Sequence, residues 1–206
     1  MARMTDSGAA PANPLWQDGW YRCARALASP NFGQRPDSVH IDLIVIHSIS
    51  LPPGEYGNHH VQSLFTNQLD WGEHPYFQSI RGLLVSAHFF ISRSGCLWQF
   101  VSCDARAWHA GQSKYRGRGN CNDDSIGIEL EGVEGSTFAN EQYETLSALC
   151  GVLTSQYPIA YVAGHEHIAP GRKQDPGTGF DWLLLQRSIG LSDKFLPKNL
   201  IVAHDS

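Results

Sequence analysis

The apolar run Leu43-Ile44-Val45-Ile46, preceded by Ile41 and ended by His47, constrains this chain more than any other stretch. Its length and β-branching favour a strand covered on both faces over a helix, and such a strand needs a sheet with layers on either side. Other segments supply that sheet. Ile126, Ile128 and Leu130 alternate with Gly127, Glu129 and Glu131, the period of a strand with one buried face. Residues 85–92, a Ser94-Gly95 turn and residues 97–101 read as a hairpin, and 159–162 as a short strand running into Gly164-His165.

Helical spacing appears in four places. Trp20, Ala24 and Leu27 predict a helix over 16–28, and Val61, Leu64, Phe65 and Leu69 predict a second. Tyr143, Leu146, Leu149, Cys150 and Leu153 form one stripe closed by Pro158, and Asp181 caps a last helix over 182–189 that Gly190 ends. The fold class is therefore α/β (α+β): a single domain over 15–190 with a mixed β-sheet flanked by helices. A flexible tail is expected over 1–14 and a C-terminal extension over 191–206.

Composition narrows the function. With 15 Lys+Arg against 20 Asp+Glu the formal charge is −5, which argues against holding nucleic acid or an anionic membrane by bulk charge. No apolar run approaches the roughly 18 residues of a membrane span. The first fifteen residues lack a secretory pattern, so a cytoplasmic protein is expected. Five cysteines without a C-x-x-C pair fit neither a disulfide framework nor a cysteine metal site and read as free thiols. Ten histidines are the unusual count, pointing towards metal or acid–base chemistry.

His47 and His165 both follow strands, and Asp175 lies ten positions beyond His165 in the loop 169–179. Two imidazoles and a carboxylate suit Zn²⁺ with a fourth position left for water. Spacing alone leaves the ordinary alternative open, because strand-end histidines are commonly structural. Glu129, beside the flat Gly127, is suited to holding water near a metal as a general base, although on the strand pattern alone a solvated face is the commoner explanation. Lys173 could stabilise an oxyanion. His167 is a rival ligand, disfavoured because a fourth protein ligand would close the open position. The stretch 104–124, rich in Gly, Arg and Asn, reads as a long functional loop.

Five motifs in order carry a resemblance. They are Val45-Ile46-His47-Ser48-Ile49-Ser50-Leu51-Pro52-Pro53-Gly54, Val85-Ser86-Ala87-His88, Arg106-Ala107-Trp108-His109-Ala110-Gly111, the segment from Cys121-Asn122-Asp123 to Glu131-Gly132, and that from Gly164-His165 to Gly177. Together they closely resemble the AmpD family of bacterial zinc amidases, whose wider relatives include phage amidases and peptidoglycan-recognition proteins. The resemblance implies one Zn²⁺ per chain on His47, His165 and Asp175, with Glu129 as catalytic acid and base and Lys173 near the metal. Trp108 and His109 match the muramyl-binding segment, and Arg118, with Arg81 and Arg116, is a candidate for peptide carboxylates. Leu84 and Asn120 stand where relatives often carry polar or basic residues, which leaves the preferred peptide open.

The implied reaction is hydrolysis of the amide between the lactyl group of 1,6-anhydro-N-acetylmuramic acid and L-alanine, in peptidoglycan recycling. The implied partners are anhydro-muropeptides as small-molecule substrate, with no nucleic acid and no membrane; a monomer is expected, and the family links the level of these muropeptides to β-lactamase induction. Three rivals stand beside this reading: a zinc-free binding module, an envelope amidase, and a mononuclear iron oxygenase, whose frequent H-x-D/E pair is absent here.

Overall fold

The computed structural model describes residues 15–190 and 196–197, so the expected tail 1–14 and nearly all of the extension 191–206 lie outside the described residues. The main sheet has six strands: β1 (Arg25–Ala26), β2 (Leu43–Ile49), β3 (Phe89–Ile91), β4 (Leu97–Gln99), β5 (Ser125–Glu131) and β6 (Tyr161–Gly164), in spatial order β6-β2-β5-β3-β4-β1. β6, β2, β5 and β3 run parallel, β4 pairs antiparallel with β3, and β1 pairs parallel with β4. Among the described residues five helices accompany it: α1 (His60–Phe65), α2 (Pro75–Ser79), α3 (Asn140–Gln156), α4 (His165–Ile168) and α5 (Trp182–Ile189). The molecule is a single domain with a mixed sheet flanked by helices, as the pattern predicts.

Alternation divides the sheet into two faces. Ile44, Ile46, Ile126, Ile128, Leu130, Phe89 and Ile91 pack against Leu146, Leu149, Cys150 and Leu153 of α3 and Leu185 of α5. Each such side chain removed from water contributes about 1.5–3 kcal/mol, and this large core holds the sheet rigid. Leu196, from the C-terminal extension, is buried in the same core.

The second face carries two smaller clusters. Leu43, Val45 and Ala163 meet Ala110, Cys121, Ile168 and Ala169 on one side. Phe90 meets Leu64, Phe65, Phe77 and Phe100 on the other. Between them, the register sets His47 beside Glu129 and Glu129 beside Phe90.

Two expectations need correction. Residues 16–28 form no helix. Asp18 and Gly19 take positive φ (51° and 76°) and turn a two-residue hairpin that pairs Trp16 with Tyr21. An Asp-Gly pair is a strong signal for that turn, and here turn chemistry overrode the apolar spacing. Second, β5 is buried along its whole length, so the face bearing Glu129 and Glu131 is not a solvated one.

The last helix behaves as expected. The Asp181 carboxylate accepts from the Leu184 N–H at 2.8 Å, and Gly190 ends α5 in the left-handed conformation. All five cysteines are free thiols. No helix among the described residues is long and apolar enough to cross a membrane.

His88 adds a pH dependence. Its Nδ1 accepts from Gly127 N–H at 3.0 Å and its Nε2 lies 3.1 Å from the Ala105 carbonyl. Burial, with the charge of Arg35 adding to it, pushes this imidazole down to about 3. The unfolded chain takes up this proton near pH 6.5, so the contribution is complete above that pH and is lost as pH falls towards about 3. The slope in that window is up to about 1.4 kcal/mol per pH unit. Urea midpoints measured from pH 7.5 to 4.5 should fall less steeply for His88→Gln than for the wild type, and equal slopes would refute the assignment.

Candidate active site

The gap between the two clusters opens as a cleft of about 580 Å³, lined among others by Trp108, His109, Glu129, His165, Arg172, Lys173 and Asp175. His47 lies buried beneath it because β2 alternates: Leu43 and Val45 fill the second-face cluster, and the next side chain on that face is His47. His165 enters where β6 ends and α4 begins. Asp175 is carried back by the loop after α4, whose Asp175 carbonyl accepts from Glu166 N–H at 2.9 Å. Gly164 permits this return, since a Cβ there would stand 2.8 Å from Pro176.

Three atoms converge. His47 Nδ1 lies 2.9 Å from His165 Nδ1, and Asp175 Oδ2 lies 3.3 Å and 3.1 Å from these two nitrogens. All three residues are buried, and together they form a group able to hold a metal ion. Ligand bonds of roughly 2.0–2.1 Å in a tetrahedral site set ligand atoms about 3.3 Å apart, so the spacing fits a small divalent cation. His165 Nε2 sits 3.1 Å from the Ala110 carbonyl and 3.3 Å from the Arg172 guanidinium, and its Nδ1 faces the cluster. Burial brings the His47 imidazole down to about 4, which keeps it neutral.

Glu129 and Glu131 share a face of β5 but not an environment. Glu131 is satisfied: its carboxylate accepts from Gly57 N–H at 2.6 Å and Arg93 N–H at 2.8 Å. Glu129 Oε2 is buried with no hydrogen-bond partner. Burial raises the Glu129 carboxyl well above its ordinary range, the Asp175 charge adds to the rise, and Lys173 offsets part of it. A buried orphan oxygen is expensive, about 1–3 kcal/mol, and a cleft glutamate left this way is prepared to take a proton.

The structure brings His47, His165, Asp175, Glu129, Trp108, His109 and the exposed Lys173 to one place. His109 lines the cleft, but its ring is buried and both nitrogens are engaged, Nδ1 with His47 Nε2 at 2.9 Å and Nε2 with Ser125 Oγ at 3.1 Å. His167 turns away: its Nδ1 accepts from Gly164 N–H at 2.9 Å and its ring meets Trp182 edge-on.

Arg118 is not brought to the cleft. Its guanidinium makes paired contacts of 2.9 and 2.7 Å with Asp42 and one of 2.9 Å with Asp124, at the opposite ends of β2 and β5. The carboxylates it was expected to find on a peptide are supplied by the protein itself. Arg116 lies over the Tyr161 ring, and Arg81 bonds Gln78.

Sequence reasoning also missed supporting residues. Asn122 Oδ1 accepts from the N–H groups of His109 and Ala110, and Arg35 donates to the carbonyls of Cys103, Asn122, Asp123 and Ser125, tying both ends of the long loop. Arg172 donates to the Ala110 and Gln112 carbonyls at the cleft rim. Asn122 and Arg172 lie inside quoted motifs, whereas Arg35 had no signal.

The family model for N-acetylmuramoyl-L-alanine amidases matches residues 36–178, and the chain belongs to that family. It is 48% identical over 170 residues to the 1,6-anhydro-N-acetylmuramyl-L-alanine amidase AmpD of Citrobacter freundii, covering 82% of this chain and 91% of that protein. A crystal structure of a selenomethionine AmpD derivative matches with a TM-score of 0.83 at 47% identity, covering 85% of this chain and 99% of that one. The amidase AmiD from E. coli, solved with the substrate anhydro-N-acetylmuramic acid-L-Ala-D-γ-Glu-L-Lys, matches with a TM-score of 0.53 at 26% identity, covering 75% of this chain and 60% of that one.

Placement of Arg118 gives a direct test. Arg118→Ala should lower stability by about 1 kcal/mol, the scale of a partly exposed ion pair, and leave KM for a muropeptide within twofold. A several-fold rise in KM at unchanged stability would return Arg118 to the substrate.

Proposed function

We propose that this chain hydrolyses the amide joining the lactyl group of 1,6-anhydro-N-acetylmuramic acid to the L-alanine of a stem peptide, using one Zn²⁺ held by His47, His165 and Asp175. The observation that carries the reading is the unpartnered Glu129 oxygen beside the His-His-Asp group, on the strand paired with that of His47. The substrate follows from the likeness to AmpD over most of both chains, and from the anhydro-muropeptide bound in the AmiD relative.

The difficulty of the reaction is an unactivated amide at neutral pH. Zinc at this site would supply Lewis acidity and bring the pKa of water at the open position down to about 7. Glu129 takes the proton of the attacking water on its buried oxygen and returns it to the departing alanine nitrogen, and its raised affinity for a proton suits both steps. Lys173, exposed at the rim and close enough to act electrostatically on Glu129, stabilises the oxyanion that develops on the lactyl carbonyl. Trp108 offers an apolar wall to the sugar ring, with the Lys173 side of the cleft left to the peptide. No covalent enzyme intermediate is required. A place in recycling cell-wall fragments inside the cytoplasm, and through it an influence on β-lactamase induction, follow from the same reading.

Two variants separate base from ligand. Glu129→Ala should cut turnover of 1,6-anhydro-N-acetylmuramoyl-tripeptide at least about a hundredfold while zinc stays stoichiometric by elemental analysis. Asp175→Ala should lose both metal and activity. Mass spectrometry of the wild-type products should show free tripeptide and intact anhydro-sugar; an uncut substrate with zinc in place would indicate a binding module instead.

A further inference from the structure

Behind His47 lies a chain of groups that the reaction itself does not use: His47 Nε2, His109 Nδ1 at 2.9 Å, His109 Nε2 to Ser125 Oγ at 3.1 Å, and the Ser125 hydroxyl to the Cys121 carbonyl. All its side chains are buried, and none of them is exposed to a substrate's own donors except across the cleft face of His109. The chain has only one consistent direction. A backbone carbonyl cannot donate, so the single Ser125 proton goes to Cys121. Ser125 Oγ must then accept, which places the His109 proton on Nε2. The bare His109 Nδ1 in turn accepts from His47 Nε2–H, and His47 is left with its lone pair on Nδ1, the atom that faces His165 and Asp175.

We propose that His109 and Ser125 are positioning residues that set the tautomer of His47, so that its Nδ1 is presented as a metal-ligating lone pair before any metal arrives. The proposal rests on the metal reading given above. Packing supports it independently. Gly127, directly under the chain on β5, has no Cβ, and one there would fall 2.5–2.7 Å from the His109 ring, so this strand position is kept bare for the imidazole. Asn122, bonded to the backbone N–H of His109, fixes the ring's entry from the loop side. His165 is held from behind by other partners, its Nε2 lying 3.1 Å from the Ala110 carbonyl and 3.3 Å from the Arg172 guanidinium. The His47 Nδ1 lone pair thus meets His165 Nδ1 and Asp175 Oδ2 within 3.3 Å, an arrangement that a cation suits.

Ser125 is the informative position, because it touches neither metal nor substrate. In Ser125→Ala, His109 loses the acceptor for its Nε2–H and is free to carry its proton on Nδ1, which drives the His47 proton onto the ligating nitrogen. Two readouts decide the matter. In zinc-free wild type, imidazole ¹⁵N–¹H correlation spectra should show His47 protonated on Nε2, with mixed tautomers in Ser125→Ala. Zinc affinity, measured by competition with a chromophoric chelator, should fall about 10–100-fold in Ser125→Ala and recover in Ser125→Thr, which keeps the hydroxyl. His47 protonated on Nδ1 in the wild type, or Ser125→Ala binding zinc as tightly as the wild type, would overturn the proposal. Failure of the wild type to bind zinc would instead overturn the metal reading, and the tautomer spectra would still decide this one.

Discussion

The parallel pairing of β2 with β5, in the register that sets His47 beside Glu129, is the constraint on which the rest depends. Parallel strands at the centre of a sheet must be covered on both faces. One face is closed by the α3–α5 layer and is largely apolar, with Gln142 of α3 buried in it. The other is closed by two separate clusters, and the residues at the seam between them are the ones the strand period happens to place there. A ligand and a proton acceptor are therefore held by the most rigid backbone in the molecule, which is what a reaction that tolerates little misplacement needs.

That placement has an energetic consequence. Glu131 sits two residues from Glu129 on the same face, and is satisfied by two backbone N–H groups that pin the 54–58 loop and the β3–β4 turn. Glu129 has no such partner for Oε2. The fold has thus stabilised one buried carboxylate and left its neighbour poised, and the difference arises from which loops arrive overhead rather than from the strand. The same division applies to the histidines. His88 is fixed between Gly127 and Ala105 as a packing element, whereas His47 is supported from behind by His109 and faces His165 and Asp175 in front.

Much of the fold was legible because its signals are local. Apolar period, an Asp N-cap and a terminal Gly define α5 without help from tertiary structure, and the stripe on α3 does the same. The failure at 16–28 has the opposite cause: three apolar residues at helical spacing carried less weight than two turn residues, Asp18 and Gly19, whose backbone conformation closes a hairpin. Arg118 failed for another reason. Its partner Asp42 lies 76 residues away in sequence, and it meets Asp42 and the nearer Asp124 together only where β2 and β5 begin side by side.

The amino-acid sequence by itself determined the strand and helix periods, the residue types able to bind a metal and move a proton, and the family to which the chain belongs. Tertiary structure alone decided which of these residues share a cleft. It converged His47, His165 and Asp175 to within 3.3 Å, left Glu129 unpartnered, consigned Arg118 to the far end of the sheet, and put Ser125 and His109 behind His47. The physical reason is that hydrogen-bond satisfaction is a property of a group's final surroundings, set by segments tens of residues away, and no local pattern records it.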